Sequence, residues 1–245
     1  MKKLLLAVCF LPFAAGIAAA GDFDNFNNYA SQAYLKPFAK DLGGLLGAMD
    51  FNSGRSLGFP GFDVNASAVI QAEPSSDNAI LNLANVDAFG VAMLQASVGL
   101  PLTDLDVAVR GVSYGGLSIM GAGLRYGVFK SGLATKFVPD ISLGAFYDVI
   151  DFDYFKGSHM SFDVAASFDL PIIKPYAVAG IDRTTVEAQG LTGLNASVNG
   201  VDATVTKPRY TLGVKLSPLP LVYIYGAYNI LHGENGYTAG LGVRF

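Results

Sequence analysis

The sequence predicts an all-β protein: an antiparallel transmembrane β-barrel of about ten strands, preceded by a short amphipathic helix. Three observations lead there. Hydrophobic residues make up 51% of the 245-residue chain and mean hydropathy is +0.40, yet past residue 20 no apolar run approaches the roughly 20 residues of a spanning helix. Apolar residues instead alternate with small or polar ones over many short segments. That is the period of a strand with two unlike faces, and about 9–11 such residues cross a bilayer. Pro- and Gly-rich turns separate the segments.

Residues 1–20 read as a secretory signal peptide. Lys2 and Lys3 form the basic start, Leu4 to Ala15 the apolar core, and Ala18, Ala19 and Ala20 the cleavage site. Cys9 inside that core is poorly placed for lipid modification, with bulky Val8 before it. Cleavage leaves 225 residues, removes the single cysteine and takes the formal charge from −4 to −6 by loss of Lys2 and Lys3. A mature chain without cysteine has no disulfide and no thiolate nucleophile. Its acidity disfavours nucleic acid as a partner.

Residues 21–60 predict a helical cap or plug. Tyr34, Leu35, Phe38, Leu42, Leu45 and Leu46 recur at helical spacing. Pro37 fits best near a helix start, which predicts a helix over about 36–47 with Gly43 and Gly44 weakening its end. A helix with side chains is about 10–12 Å across, and a barrel of eight strands holds little beyond its own side chains. This favours a cap over the barrel mouth rather than a plug within it.

Residues 61–245 predict the barrel. Alternation marks strands at 62–70, 89–100, 105–110, 120–128, 141–147, 160–170, 176–187, 209–216, 221–229 and 237–245. With these strands, the proline-punctuated turns 101–104, 171–175 and 217–220 fall at one end. The long connections 72–88, 148–158 and 188–205 fall at the other. Residues 113–116 and 129–139 fit this sidedness less well, and 78–89 has room for another strand or a loop helix. Eight to twelve strands stay open. Phe62, Tyr126, Phe146, Tyr147, Phe168, Tyr210, Tyr223, Tyr237 and Phe245 suit aromatic girdles. Gly121, Gly123, Gly127, Gly213, Gly240 and Gly242 on the inner face predict curvature and room inside.

In the last strand Tyr237, Ala239, Leu241, Val243 and Phe245 form a strict apolar row. It resembles the C-terminal strand of bacterial outer-membrane β-barrels. The resemblance implies that Tyr237, Leu241, Val243 and Phe245 are an assembly signal and that the protein lies in a Gram-negative outer membrane. It also implies the partners: outer-membrane lipids, lipopolysaccharide, the barrel assembly machinery and periplasmic chaperones. The motifs Tyr34-Leu35-Lys36-Pro37 and Lys40-Asp41-Leu42-Gly43-Gly44, with the glycine-rich residues 53–63, resemble the N-terminal region of a family of uncharacterised small outer-membrane barrels. That likeness implies location and fold, and no activity.

The expected inward-facing polar set is Asp106, Arg110, Arg125, Ser161, Asp163, Asp169, Arg209, Lys215 and Arg244. Mixed charges in a narrow lumen should pair. This favours a side-chain-filled interior over a charged constriction that selects solutes. His159, Ser161 and Asp163 share a face and offer a base, a nucleophile and an orienter. The His-x-Ser pair is similar to one in an outer-membrane lipid A deacylase family, but Phe162 stands where that family continues with asparagine. A polar lumen row is the favoured reading, and a lipid-modifying enzyme using His159 and Ser161 the alternative. Ten-stranded outer-membrane proteases need paired carboxylates and an Asp–His couple, for which no motif is recognisable. His232 is expected to be solvated in a loop. Asp148, Asp151 and Asp153 read as an acidic loop, solvated or binding divalent cations that bridge lipopolysaccharide. Two distant histidines give no metal signature and residues 53–63 are no phosphate loop, so no cofactor is expected. The function read from the sequence is non-enzymatic: structural, or porin-like passage or binding of a small solute.

Overall fold

Alternation does build ten strands. They are β1 (Phe62–Gln71), β2 (Phe89–Gly99), β3 (Leu105–Tyr114), β4 (Leu117–Phe129), β5 (Asp140–Phe152), β6 (Phe155–Ser167), β7 (Ile173–Ala188), β8 (Asp202–Leu216), β9 (Val222–Leu231) and β10 (Glu234–Arg244). The structure, a computed structural model, describes residues 23, 25–132, 135 and 137–245. The proposed signal peptide, 1–20, lies outside the described residues. Every strand is antiparallel to its neighbours, and β1 pairs with both β2 and β10 to close the barrel. At the seam the Phe62 amide donates to the Phe245 carbonyl at 3.1 Å and the Phe245 amide to the Phe62 carbonyl at 2.8 Å. Closure leaves no open edge.

The β1–β2, β3–β4, β5–β6, β7–β8 and β9–β10 connections share one end of the barrel, here the loop end. The other four connections lie at the opposite end with the start of β1 and the end of β10, here the closing end. Segment 78–89 holds a short helix, Ala79–Leu83, and no strand. Segment 148–158 is not a loop: β5 and β6 continue to Phe152 and from Phe155, joined by two residues. That moves Asp148 onto a strand, where its side chain faces the lumen.

Before the barrel come α1 (Phe26–Tyr29) and α2 (Gln32–Gly47). Helix α2 starts four residues earlier than Pro37 suggested, with Pro37 inside it. The hydrogen bond that Pro37 cannot donate would have gone to Ala33, an exposed residue in the first turn whose carbonyl water can reach.

The expected mouth cap is overturned as well. Helix α2 runs inside the barrel, chiefly against β7 and β8, and Leu35, Phe38, Leu42, Leu45 and Leu46 are buried. A helix about 10–12 Å across carries side chains all round. Gly43, Gly44 and Gly47 remove them from the face turned to the wall. A Cβ at Gly43 would overlap Thr184 Oγ1, one at Gly44 would sit 2.9 Å from Leu231 Cβ, and one at Gly47 would sit 2.5 Å from Arg209 Nε. Residues 48–61 then continue down the lumen to the closing end, where β1 begins.

Nor do the wall glycines leave room inside. In register, Gly123 faces Phe146, Gly213 faces Tyr176, Gly240 faces Tyr225 and Gly242 faces Tyr223. Each ring lies over its glycine where a Cβ would stand, a cross-strand pairing that pins register. Phe146 and Tyr223 therefore line the lumen and do not belong to a girdle. The other seven girdle residues are exposed.

Candidate functional site

The lumen is the site, and the threaded N-terminal segment occupies it from end to end. At the loop end Phe23, Phe26, Phe38, Phe89, Phe152 and Phe155 form one aromatic cluster. Ring centroids are 4.9 Å apart for Phe26–Phe38 and 5.0 Å for Phe38–Phe155. These rings come from the start of the segment, from the start of β2 and from the β5–β6 hairpin. Asp41 of α2 accepts hydrogen bonds from the Ser75 amide at 2.9 Å, from the Ser75 hydroxyl and from Asn78 Nδ2 at 2.8 Å. Lys40 pairs with Glu234 at 3.0 Å. Helix α2 is thus fastened to the first and last loop-end connections.

Below Gly47 the packing becomes ionic. Arg110 donates to Asp50 at 2.5 Å and, through two nitrogens, to Asp148 at 2.7 and 2.6 Å. Arg209 reaches Asp163 at 2.7 Å, Asp182 at 3.0 Å and Asp50 at 3.2 Å. The Ser161 hydroxyl donates to Asp50 at 2.6 Å. Asp50 therefore ties the segment to β3, β6 and β8 at once. His232 belongs to this assembly and is not solvated: Nε2 lies 2.9 Å from Asp182 and Nδ1 lies 2.7 Å from the Lys40 carbonyl oxygen.

Nearer the closing end Arg125 pairs with Asp106 at 2.7 Å, and Asp106 also accepts the Leu57 amide at 2.9 Å. Arg55 lies 3.3 Å from Asp140 and 3.0 Å from Asp169, which Lys174 also meets at 2.6 Å. Asp169 lies past the end of β6, in the β6–β7 connection, and not on the strand face expected of it. Burial pushes the Asp169 carboxyl up. The Lys174 hydrogen bond and the charges of Lys174 and Arg55 more than offset this and hold it below the usual carboxylate value. Lys215 donates to Asn52 at 2.5 Å and its ammonium stands 4.3 Å from the Tyr223 ring centroid. Arg244 donates to the carbonyls of Arg55 and Ser56 at 3.4 and 3.2 Å.

A cavity of about 450 Å³ opens at the closing end, walled by Arg55, Asp169, Lys174, Lys215, Tyr223 and Arg244 among others. Deeper, between Asp50, Asp63, Asp106 and Arg125, only about 20 Å³ remains, room for about one water.

The row His159, Ser161 and Asp163 does face the lumen, but its members do not act on one another. His159 Nδ1 meets Thr184 Oγ1 at 2.9 Å, while the Ser161 hydroxyl donates its hydrogen bond to Asp50 and Asp163 accepts from Arg209. Asp148 is committed to Arg110, and Asp151 and Asp153 are exposed. Among the described residues no three His, Cys, Asp or Glu are grouped as a metal site.

Asp50 and Asp182 carry no motif for this role in the sequence, and Asp148 and His232 were expected in loops. Asp182 and Thr184 do alternate with outward Ile181 and Arg183, a pattern the weak strand 176–187 carried. Asp50 sits in a segment with no periodicity.

A family model described as "Family of unknown function (DUF6588)" matches residues 78–245. No curated protein matches the chain. Among solved structures it is similar to the N-terminal β-barrel domain of Pseudomonas aeruginosa OprF, at 14% identity and TM-score 0.33, over 76% of this chain and 97% of that one. It is similar to Ail, the attachment invasion locus protein of Yersinia pestis, at 14% identity and TM-score 0.29, over 76% and 97%. For the translocator domain of the autotransporter NalP from Neisseria meningitidis the values are 11%, 0.41, 88% and 99%.

Proposed function

The chain belongs to DUF6588, a family of unknown function, and from that premise we propose that it is an outer-membrane barrel closed at rest by its own N-terminal segment. It serves as a structural or ligand-binding protein of the membrane, without catalysis, and is not an open pore. Residues 1–20 are the signal peptide, 21–60 the plug segment and 61–245 the barrel.

The outer wall supports the membrane location. Leu94, Val109, Met120, Leu124, Phe162, Ile181, Leu212, Ile224 and Tyr237 are exposed on it, and they come from strands all round the barrel. Monomeric soluble proteins rarely expose apolar patches beyond about 300–600 Å². In lipid, a closed sheet satisfies every backbone group internally. The closing end, with its mostly short proline turns, faces the periplasm, and the loop end faces out. Lipids and lipopolysaccharide contact the apolar wall. The outward row Tyr237, Leu241, Val243 and Phe245 is what the assembly machinery and periplasmic chaperones recognise.

The observation that carries the closed reading is Asp50, held by Arg110 and Arg209 across a lumen that residues 32–57 fill. The commitment of Ser161 to Asp50 and of His159 to Thr184 supports the absence of hydrolytic chemistry there. Planar-bilayer recording on refolded full-length protein tests the closed reading. The wild type gives no steady conductance, whereas Asp50→Arg, which sets a third guanidinium against two others, gives discrete channels. Steady wild-type conductance would overturn closure.

A further inference from the structure

The closing-end cavity carries an imbalance of charge. Arg55, Lys174, Lys215 and Arg244 line it, with Asp169 as the one lining carboxylate among the described residues. Asp169 is already shared by Arg55 and Lys174. Lys215 is buried and Arg244 half-buried. Both meet neutral oxygens, Asn52 Oδ1 for the first and main-chain carbonyls for the second. Among the described residues neither has a carboxylate within 4.0 Å. Asp63 turns its carboxylate to neutral donors, the Tyr223 hydroxyl at 2.8 Å and Asn65 Nδ2 at 3.1 Å, and its charge reaches Lys215 and Arg244 only from beyond ion-pair distance.

A buried and a half-buried cation with no carboxylate in ion-pair range are costly, and an anion in reach relieves that cost. The residues around them suit an oxyanion. Arg244 offers a planar fork and Lys215 a point charge, and the hydroxyl-bearing Ser53, Ser167 and Ser217 line the same space. At about 450 Å³ the cavity falls in the range of small-ligand sites. It is larger than an inorganic ion needs and open to the closing end.

We propose that this vestibule is a binding site for a phosphate group, with Lys215 and Arg244 as its principal ligands. The phosphate comes either from a free solute or from a lipid headgroup reaching round the rim at Pro171 and Leu219. The site depends on the cavity and its charges, and it stands whether or not the lumen above conducts.

Asn52 makes a sharp test. Asn52→Asp would place a carboxylate beside Lys215 and supply the missing charge from within, with no loss of packing. Calorimetric titration of inorganic phosphate into refolded full-length protein in a neutral detergent reads the free-solute arm. Urea unfolding in phosphatidylcholine vesicles, with and without phosphatidylglycerol, reads the headgroup arm. The expected result is binding to the wild type in at least one arm, weakened tenfold or more both in Lys215→Met and in Asn52→Asp. Phosphate heat locates the source in solution, and stabilisation by phosphatidylglycerol alone locates it in the lipid. No response in either arm, or a response that both variants retain, overturns the site. Because Asn52→Asp keeps Lys215 and adds a partner, its loss of binding separates the site from a mere folding defect.

Discussion

Above Gly47 the lumen is packed with phenylalanine rings and leucines; below it, the same chain is held by ion pairs and ends beside an open cavity. The difference is one of tolerance. Apolar packing is non-directional and accepts small shifts of one surface over another. Buried ion pairs contribute little net stability, but losing one partner leaves a charge stranded. The loop-end half therefore contributes the energy that holds the segment in place. The closing-end half fixes its register, since Asp50 can meet Arg110, Ser161 and Arg209 together at one depth only.

The sharpest way to break this contrast is Arg209→Met. Asp50, Asp163 and Asp182 all lose a cation, which should cost about 4–5 kcal/mol, read by urea unfolding in micelles. The cost should be accompanied by displacement of residues 48–57. Phe38→Ala attacks the other half. It should cost about 3–4 kcal/mol through the cavity it leaves in the aromatic cluster, with residues 48–57 still in register. If Phe38→Ala shifts the lower segment and Arg209→Met does not, the division of labour is wrong.

Gly47→Ala sits on the border between the halves. Its Cβ would fall 2.5 Å from Arg209 Nε and 2.6 Å from Asp182 Oδ2, an overpacking cost of about 1–3 kcal/mol. A neutral result would show that α2 is not pressed against β7 and β8. The smallest effect concerns Asp169 at the rim. Its carboxyl is held below its unfolded value, so its stabilising contribution is present above about pH 4 and is lost as pH falls through the folded value. Asp169→Asn should lower stability at neutral pH by less than about 1 kcal/mol, leave the acid end unchanged, and so flatten the acid limb of the stability profile.

The barrel was legible because each strand writes its own period. The row Met160, Phe162, Val164 and Ala166 needs no tertiary context to declare two faces. The wall charges Arg110, Asp163 and Arg209 were legible for the same reason. What the sequence hid were the partners that cross the lumen. Asp50 and Asn52 lie in an irregular segment whose side chains acquire direction only from the surrounding wall. Gly43, Gly44 and Gly47 looked like helix breakers, and their use is to let a helix approach β7, β8 and β9. Asp148 was misread because the acidic residues 148, 151 and 153 looked like a loop although alternation carries β5 on to Phe152, and His232 because it sits in the two-residue turn between β9 and β10. The aromatic–glycine pairs were missed because each spans two strands, and one strand's alternation cannot show it.

The central claim is that residues 32–57 thread the lumen, and one pair tests it directly. Ser53 Oγ and Ser167 Oγ lie 3.3 Å apart, on the segment and at the end of β6, so cysteines at these positions would bring their sulfurs within reach of one another. In a chain with Cys9 changed to serine, Ser53→Cys with Ser167→Cys should oxidise to one intramolecular bond in folded protein, seen by mass spectrometry as the two joined peptides. Two free thiols that label at solvent rates in folded, heat-modifiable barrel would contradict the threaded segment.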